Sequence, residues 1–356
     1  MTEENNQNII PRNSVLHNET EETFMLTRRQ VLASTGAMAA TLAMPNIARA
    51  APIQMRYAHA ANEIHPGHIA ALEFQKSLEE LVPGAIEITI FPNRQLGEDK
   101  QNLESTIAGV VDLCGCSGVQ VPLVTGRQAL DAYQLPFLIR DYDHFTELAT
   151  SEVGQKILDD LEPAGLVGLQ TTDIGRRHFV SATNVVKALP DFSGLKTRII
   201  PVPLHKAIWE AVGTSPVGLP YGEVYGALET KVIDAVEINV SSMLSENLWE
   251  VAKNFTLTGH YPWHNLTAMN KMVFDGLPQE LQQAVREAGK QSIKPTMDYT
   301  AKQDMEGRDQ LKAKGVTIYE LENLQEMKTK VAPIVETWSA KDPLIAEFVK
   351  AAQSKS

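Results

Sequence analysis

The chain has 356 residues, 32 Lys and Arg against 44 Asp and Glu, two cysteines and a hydrophobic fraction of 43%. That length suggests two domains and can bury a substantial core, which excludes a small module or a disulfide scaffold. Ordinary apolar and charged fractions argue against disorder, and a net charge of −12 with no basic block argues against a nucleic-acid partner, whose phosphates need clustered Lys and Arg.

Residues 1–24 are polar. Behind them Leu26-Thr27-Arg28-Arg29-Gln30-Val31-Leu32 leads into a small-residue apolar stretch, Ala33 to Met44. Ala48-Arg49-Ala50 then places small residues at alternate positions before Ala51. A basic start, a short apolar run and an A-x-A-like site describe an export signal over 1–50. Paired arginines directly ahead of the apolar run give it twin-arginine character. Met25 stands three residues before Arg28, so the upstream 24 residues fit a misassigned start site. The run is shorter than the ~20 residues of a membrane span, and no later segment approaches one. The expectation is an exported, periplasmic protein that is not membrane-embedded.

Strands then alternate with helices. Met55 to His59 reads as a strand, Pro66 to Leu81 as an amphipathic helix, and Ile86 to Phe91 as a cleanly alternating strand. Glu98 to Ala108 reads as a helix that ends at Gly109 before Val110-Val111-Asp112-Leu113. Cys114 and Cys116 lie one residue apart on that strand, a poor geometry for a mutual disulfide, so packing is their plainer role. The helix-to-strand unit returns 122 residues later, where Glu223 to Glu229 precedes Val232-Ile233-Asp234-Ala235-Val236. Each unit follows a Pro-containing strand end, Phe91-Pro92 and Leu219-Pro220. Two similar α/β lobes with a cleft between them are predicted. Further helices are predicted at Pro278 to Ser292, bent or ended by Pro295, and at Leu324 to Trp338, with a short strand at Val316 to Tyr319.

The chain has no G-x-S-x-G, P-loop, H-E-x-x-H or strand-linked G-x-G-x-x-G motif. His59, His65 and His68 gather near a helix start but lack further ligands for a metal, so they read as surface or cleft-lining residues. Arg176 and Arg177 at one strand boundary and Arg198 at another are better placed. A guanidinium at a strand end facing a cleft suits a carboxylate, although on spacing alone ordinary salt bridges to the many acidic residues are the better account.

Longer motifs narrow this. Phe91-Pro92-x-x-Gln95-Leu96-Gly97-Glu98-Asp99, Gly109-Val110-Val111-Asp112-Leu113, Leu135-Pro136-Phe137, Gly194-Leu195-Lys196-x-Arg198, Leu219-Pro220-Tyr221-Gly222-Glu223-Val224-Tyr225-x-Ala227-Leu228-Glu229 and Leu277-Pro278-Gln279-Glu280-Leu281-Gln282 run in order along nearly the whole chain beyond residue 50. Together they resemble the DctP-type solute-binding proteins of tripartite ATP-independent periplasmic (TRAP) transporters. The resemblance implies an α/β, two-lobed periplasmic binding protein fold, type II-like, with an interlobe cleft and a long spanning helix. It places one lobe at 51–174 plus 262–300 and the other at 175–261 plus 301–356. It implies a binding protein without a cofactor, not an enzyme, that hands a small organic acid to membrane permease subunits. It assigns the ligand carboxylate to Arg198, with Arg177 as a second anchor and Tyr221 in the wall, and implies ligand-facing positions at Asp99 and Ser117. Relatives carry Asn or Trp directly after the glutamate that is Glu237 here; this chain has Ile238-Asn239, so either Asn239 has shifted by one or Ile238 makes an apolar wall. With Trp263 as a further wall residue, the expected ligand is a monocarboxylate with an apolar or aromatic body. The competing reading is a secreted α/β hydrolase or lyase, which would need a nucleophile–base pair in the cleft.

Overall fold

The computed structural model describes residues 51–354, so the expected signal segment, 1–50, lies outside the described residues. Ten strands form one continuous sheet system: β1 (Ile53–His59), β2 (Ile86–Phe91), β3 (Leu113–Ser117), β4 (Leu166–Ser181), β5 (Lys196–Ile199), β6 (Ser215–Gly218), β7 (Ala235–Asn239), β8 (Asn254–Leu257), β9 (Pro262–Asn270) and β10 (Thr317–Glu320). The spatial order β2-β1-β3-β9-β4-β7-β5-β6 contains the same unit twice. In the first, β1, helix Pro66–Leu81, β2, helix Asp99–Ile107 and β3 form a parallel β2-β1-β3 sheet. In the second, β5, helix Pro203–Val212, β6, helix Val224–Glu229 and β7 form a parallel β6-β5-β7 sheet. Parallel strands need helical crossovers, and here each crossover supplies the apolar stripe that covers its sheet.

The predicted repeat holds at the level of single bonds. The amides of Val110 and Val111 return to the Ser105 carbonyl; 122 residues on, those of Val232 and Ile233 return to Ala227. The Asp112 carboxylate accepts the amide of Arg56 on β1 at 2.7 Å. Asp234 accepts the amide of Lys196 on β5 at 2.9 Å. In both units the aspartate is the last turn residue, so strands β3 and β7 begin at Leu113 and Ala235, a few residues later than alternation predicts.

Strands β4 and β9 join the halves. Leu166–Asp173 of β4 pairs with β9, whereas Arg177–Ser181 pairs with β7. The long helix Gln279–Ala313 packs along both halves. Ser292 Oγ donates to Gln170 Oε1 at 2.9 Å, Gly289 sits where a Cβ would meet the Leu169 carbonyl at 2.4 Å, and Gly307 lies against Val240. Pro295 stands inside this helix rather than ending it. An interior proline costs about 3 kcal/mol, and buried Ala288, Ile293, Met297 and Leu311 on either side offset that cost. Pro333 is likewise inside helix Leu324–Ser339. The expected lobe boundary at 300/301 therefore falls within one unbroken helix. Cys114 and Cys116 are free and buried on β3.

Candidate ligand-binding site

A cavity of about 280 Å³ opens where the C-terminal ends of the parallel strands of both halves face each other. Its lining includes Arg177, Arg198, Tyr221, Trp263, Asp99 and Ser117, six of the eight residues expected from the sequence. Burial leaves both guanidiniums almost no water, at 2% exposure each. Arg198 Nε and Nη2 both donate to the Leu219 carbonyl, at 3.0 and 2.8 Å, which fixes the plane of the group. Burial pushes Arg198 down to about 10, with neighbouring Glu237 opposing the shift and Arg177 adding to it.

Arg177 is held differently. Its Nε donates to Glu237 Oε2 at 2.6 Å, its Nη2 bonds the Glu237 carbonyl, and its guanidinium lies 4.2 Å from the centre of the Trp263 ring. Tyr261 adds a hydroxyl to Glu237 Oε2 at 3.1 Å. Burial alone would raise the Glu237 carboxyl, but the Arg177 charge and the His260 bond hold it well below the usual range. His205 and His260 nearby are pushed below their ordinary value, mainly by burial, and are neutral at pH 7. Two arginines against one carboxylate leave this end of the cavity with one positive charge in excess.

The opposite wall carries polar groups among apolar ones. Asp99 Oδ2 accepts the Ser117 amide at 3.0 Å, and burial raises its carboxyl to about 6. His65 Nδ1 accepts the Gly67 amide at 3.1 Å, so its Nε2 carries the hydrogen and donates to Ser242 Oγ at 3.1 Å. His59 faces the cavity beside His68, 3.0 Å away, and burial holds it near 3. No group of three His, Cys, Asp or Glu side chains among the described residues could hold a metal ion. Gln101, Gln120 and Asn265 complete this wall. Of the three histidines near the helix start, His59 and His65 line the cavity and His68 does not; Asn265 and Ile174, which only the pairing of β4 with β9 brings there, were not expected.

Two expected residues are elsewhere. Ile238 does not make an apolar wall: it is fully buried in the core of the second half, packed among such residues as Val180, Val236 and Phe255. Asn239 does not line the cavity either; its Nδ2 is used on the Ile174 carbonyl and Ser241 Oγ, at 2.7 and 2.8 Å.

One rim of the cleft is bridged. Arg94 Nη2 meets Glu246 at 2.6 Å, Asn62 Nδ2 donates to the Ser245 carbonyl at 2.7 Å, and the Gly222 amide donates to Glu98 at 3.1 Å. Each bond links the first unit to the second or to the residues just after it, so the structure is of a closed cleft.

The many buried ionisable groups predict a pH response. Burial lowers His59, His65, His205 and His264 to about 3, so their stabilisation is present above 6.5 and is lost as pH falls towards 3. Burial raises Asp99, Asp131 and Asp173 to about 6, so their effect runs the other way, stabilising below 3.8 and lost as pH rises through 6. His68, His178 and His260 are lowered too and Asp304 is raised, so near pH 5 the more numerous histidines outweigh the aspartates and the unfolding free energy should fall on acidification there. Denaturant titrations at a series of pH values check this; stability that is flat or rising from pH 6 to 4.5 would contradict it.

Residues 57–342 match the family model DctP, bacterial extracellular solute-binding protein, family 7. The C4-dicarboxylate-binding periplasmic protein DctP of Rhodobacter capsulatus is 33% identical over 74% of this chain and 79% of its own length. The 2,3-diketo-L-gulonate-binding periplasmic protein YiaO of Escherichia coli is 30% identical over 74% and 80%. A TRAP periplasmic solute-binding protein from Bradyrhizobium, crystallised with galacturonate, superposes with a TM-score of 0.80 at 30% identity, covering 85% of this chain and 99% of that one. These are binding proteins rather than enzymes, and no helix among the described residues is long and apolar enough to cross a membrane. Fold, cleft and sequence agree: the chain belongs to the DctP family of bacterial extracellular solute-binding proteins.

Proposed function

We propose that the protein captures a sugar acid in the periplasm, with the carboxylate on Arg198 and Arg177, and delivers it to the membrane subunits of a TRAP transporter. The observation that carries the reading is the placing of polar groups within a largely apolar lining: a cationic end opposes Asp99, Ser117 and Asn265, which can pair with hydroxyls. Asp99 accepts hydroxyl hydrogens and repels a second carboxylate, Ser117 and Asn265 both donate and accept, and Tyr221 and Trp263 give flat surface for the carbon skeleton. This replaces the expectation of an apolar or aromatic body, because Ile238 is in the core and one face of Trp263 is taken by Arg177. A volume near 280 Å³ lies just below the ~300–1,000 Å³ of pockets for drug-sized molecules, which suits a compact acid. The galacturonate complex of the Bradyrhizobium relative supports the class. Export through the twin-arginine segment at Arg28 and Arg29 accords with the family's location; lysine at both positions would then stop it. The lobes divide where β4 changes partners, near 174–177 and 261–262.

A thermal-shift screen tests the ligand class. Binding stabilises by RT ln(1 + [L]/Kd), about 2.7 kcal/mol at a hundredfold excess over Kd, or roughly 5 °C for a chain of this size. Galacturonate, glucuronate or galactonate should raise the melting temperature by that order and succinate should not. A shift with C4-dicarboxylates alone would overturn the sugar-acid reading and leave the carboxylate anchor standing.

A further inference from the structure

Ile174 and Arg177 both line the cavity although they stand three apart on β4. On a regular strand that separation sends side chains to opposite faces. One extra residue resolves the conflict. Asp173 lies opposite His264 and Arg176 opposite Pro262, so three steps along β4 match two along β9. The irregularity is at Gly175, whose φ of +128° is one that side chains rarely adopt. Its amide donates to Asp173 Oδ1 at 2.9 Å.

The carbonyl of Ile174 is turned out of the ladder by this bulge, and it is buried, so it needs a donor. Asn239 supplies it at 2.7 Å from β7, where it pairs with Arg177 in register. Ser241 Oγ accepts from the same Nδ2 at 2.8 Å and donates to the same carbonyl at 3.3 Å, so Asn239 and Ser241 hold that carbonyl together. A Cβ on residue 175 would come within 2.6 Å of that Nδ2, so bulge and amide fit only with glycine there.

We infer that Asn239 is a positioning residue: it clamps the Ile174 carbonyl and thereby holds the bulge that turns Arg177 into the ligand cavity. Its consequence for binding rests on Arg177 being an anchor; its consequence for the place of Arg177 does not.

Asn239→Asp keeps the shape and removes the shorter of the two donors, and Ser241→Ala removes the longer one, a milder change to the same clamp. Trp263 lies 4.2 Å from the Arg177 guanidinium, so its fluorescence reports that group without ligand, taken as the difference between each protein and its Trp263→Phe counterpart. Asn239→Asp should shift the Trp263 emission and Ser241→Ala should shift it less. If Asn239→Asp does not fold, Ser241→Ala carries this readout. In calorimetry with D-galacturonate, Asn239→Asp should weaken binding about tenfold, as expected for a lost buried hydrogen bond, and should cost nothing further in an Arg177→Ala background. Unchanged Trp263 emission in the folded variants overturns the inference. So do additive losses with Arg177→Ala, which would make Asn239 a direct ligand contact. Shifted emission with undiminished galacturonate binding supports the clamp and counts against Arg177 as an anchor. If D-galacturonate does not bind the parent protein, the emission decides alone.

Discussion

Arg198→Ala is expected to weaken carboxylate binding by roughly thirtyfold to several thousandfold, the equivalent of the ~2–5 kcal/mol lost when one partner of a buried charge pair is truncated. The geometry explains why the loss should be large. The guanidinium is desolvated in the closed cleft and its plane is set by two bonds to one carbonyl, so little ordering remains to be done when a carboxylate arrives. Without it, the acid leaves water for a closed cleft with only Arg177, whose Nε and Nη2 are already used on Glu237. Arg198→Lys should fail nearly as badly. An ammonium is one point of charge and cannot hold the Leu219 carbonyl with two donors while meeting a planar acid. Folding should survive, because the Leu219 carbonyl at the cleft can take water instead. Calorimetry on the acid found in the screen, with circular dichroism as the check on folding, measures this. A folded Arg198→Ala protein that binds within about threefold of the parent, a difference under ~1 kcal/mol, would place the anchor elsewhere.

Why Arg198 was legible and Asn239 was not is a matter of register. Arg198 sits in a run of motif residues with a turn at Gly194 before it and a proline after, so its place at a strand end follows from local sequence alone. The two units were legible for the same reason: a helix, two apolar residues and an aspartate that caps the neighbouring strand are close together in the chain, and the bonds of Asp112 and Asp234 repeat one another. Ile238 and Asn239 depend instead on which way β7 faces. A shift of one residue exchanges core for cleft, and what fixes the phase is the pairing with β4, which sets Asn239 opposite Arg177, some 60 residues away and invisible in the sequence of β7. Pro295 does not end its helix, one of the two outcomes expected, because helix-breaking is a local tendency whereas this helix is held by both halves of the molecule it crosses. Glu237 gave no signal of its own, since one acid among 44 reads as surface until its strand is paired with the one that carries Arg177.

That pairing makes Glu237→Ala the substitution with the largest expected effect on stability. Glu237 has no exposure, and its carboxylate takes Arg177 at 2.6 Å and Tyr261 at 3.1 Å with His205 and His260 just beyond. Alanine strands the Arg177 charge between Trp263 and a dry strand pair, and breaking a buried ion pair by removing one member costs ~3–5 kcal/mol. Glu237→Gln keeps the shape and an acceptor oxygen, so it should lose less. The pH dependence identifies the cause. The folded carboxyl lies below its ordinary 4.5, so its stabilisation is complete above that value and disappears as pH falls through the folded one. The gap between parent and Glu237→Ala should therefore be constant from pH 7 to 5 and narrow only in stronger acid. Ligand supplies a second signature: an acid bound at Arg177 gives the stranded charge a new partner, so saturating ligand should restore part of the lost melting temperature in Glu237→Ala. A loss under ~1 kcal/mol in denaturant titrations at pH 7 would show that Arg177 is hydrated in the ligand-free protein, since only water could replace a buried carboxylate at so little cost.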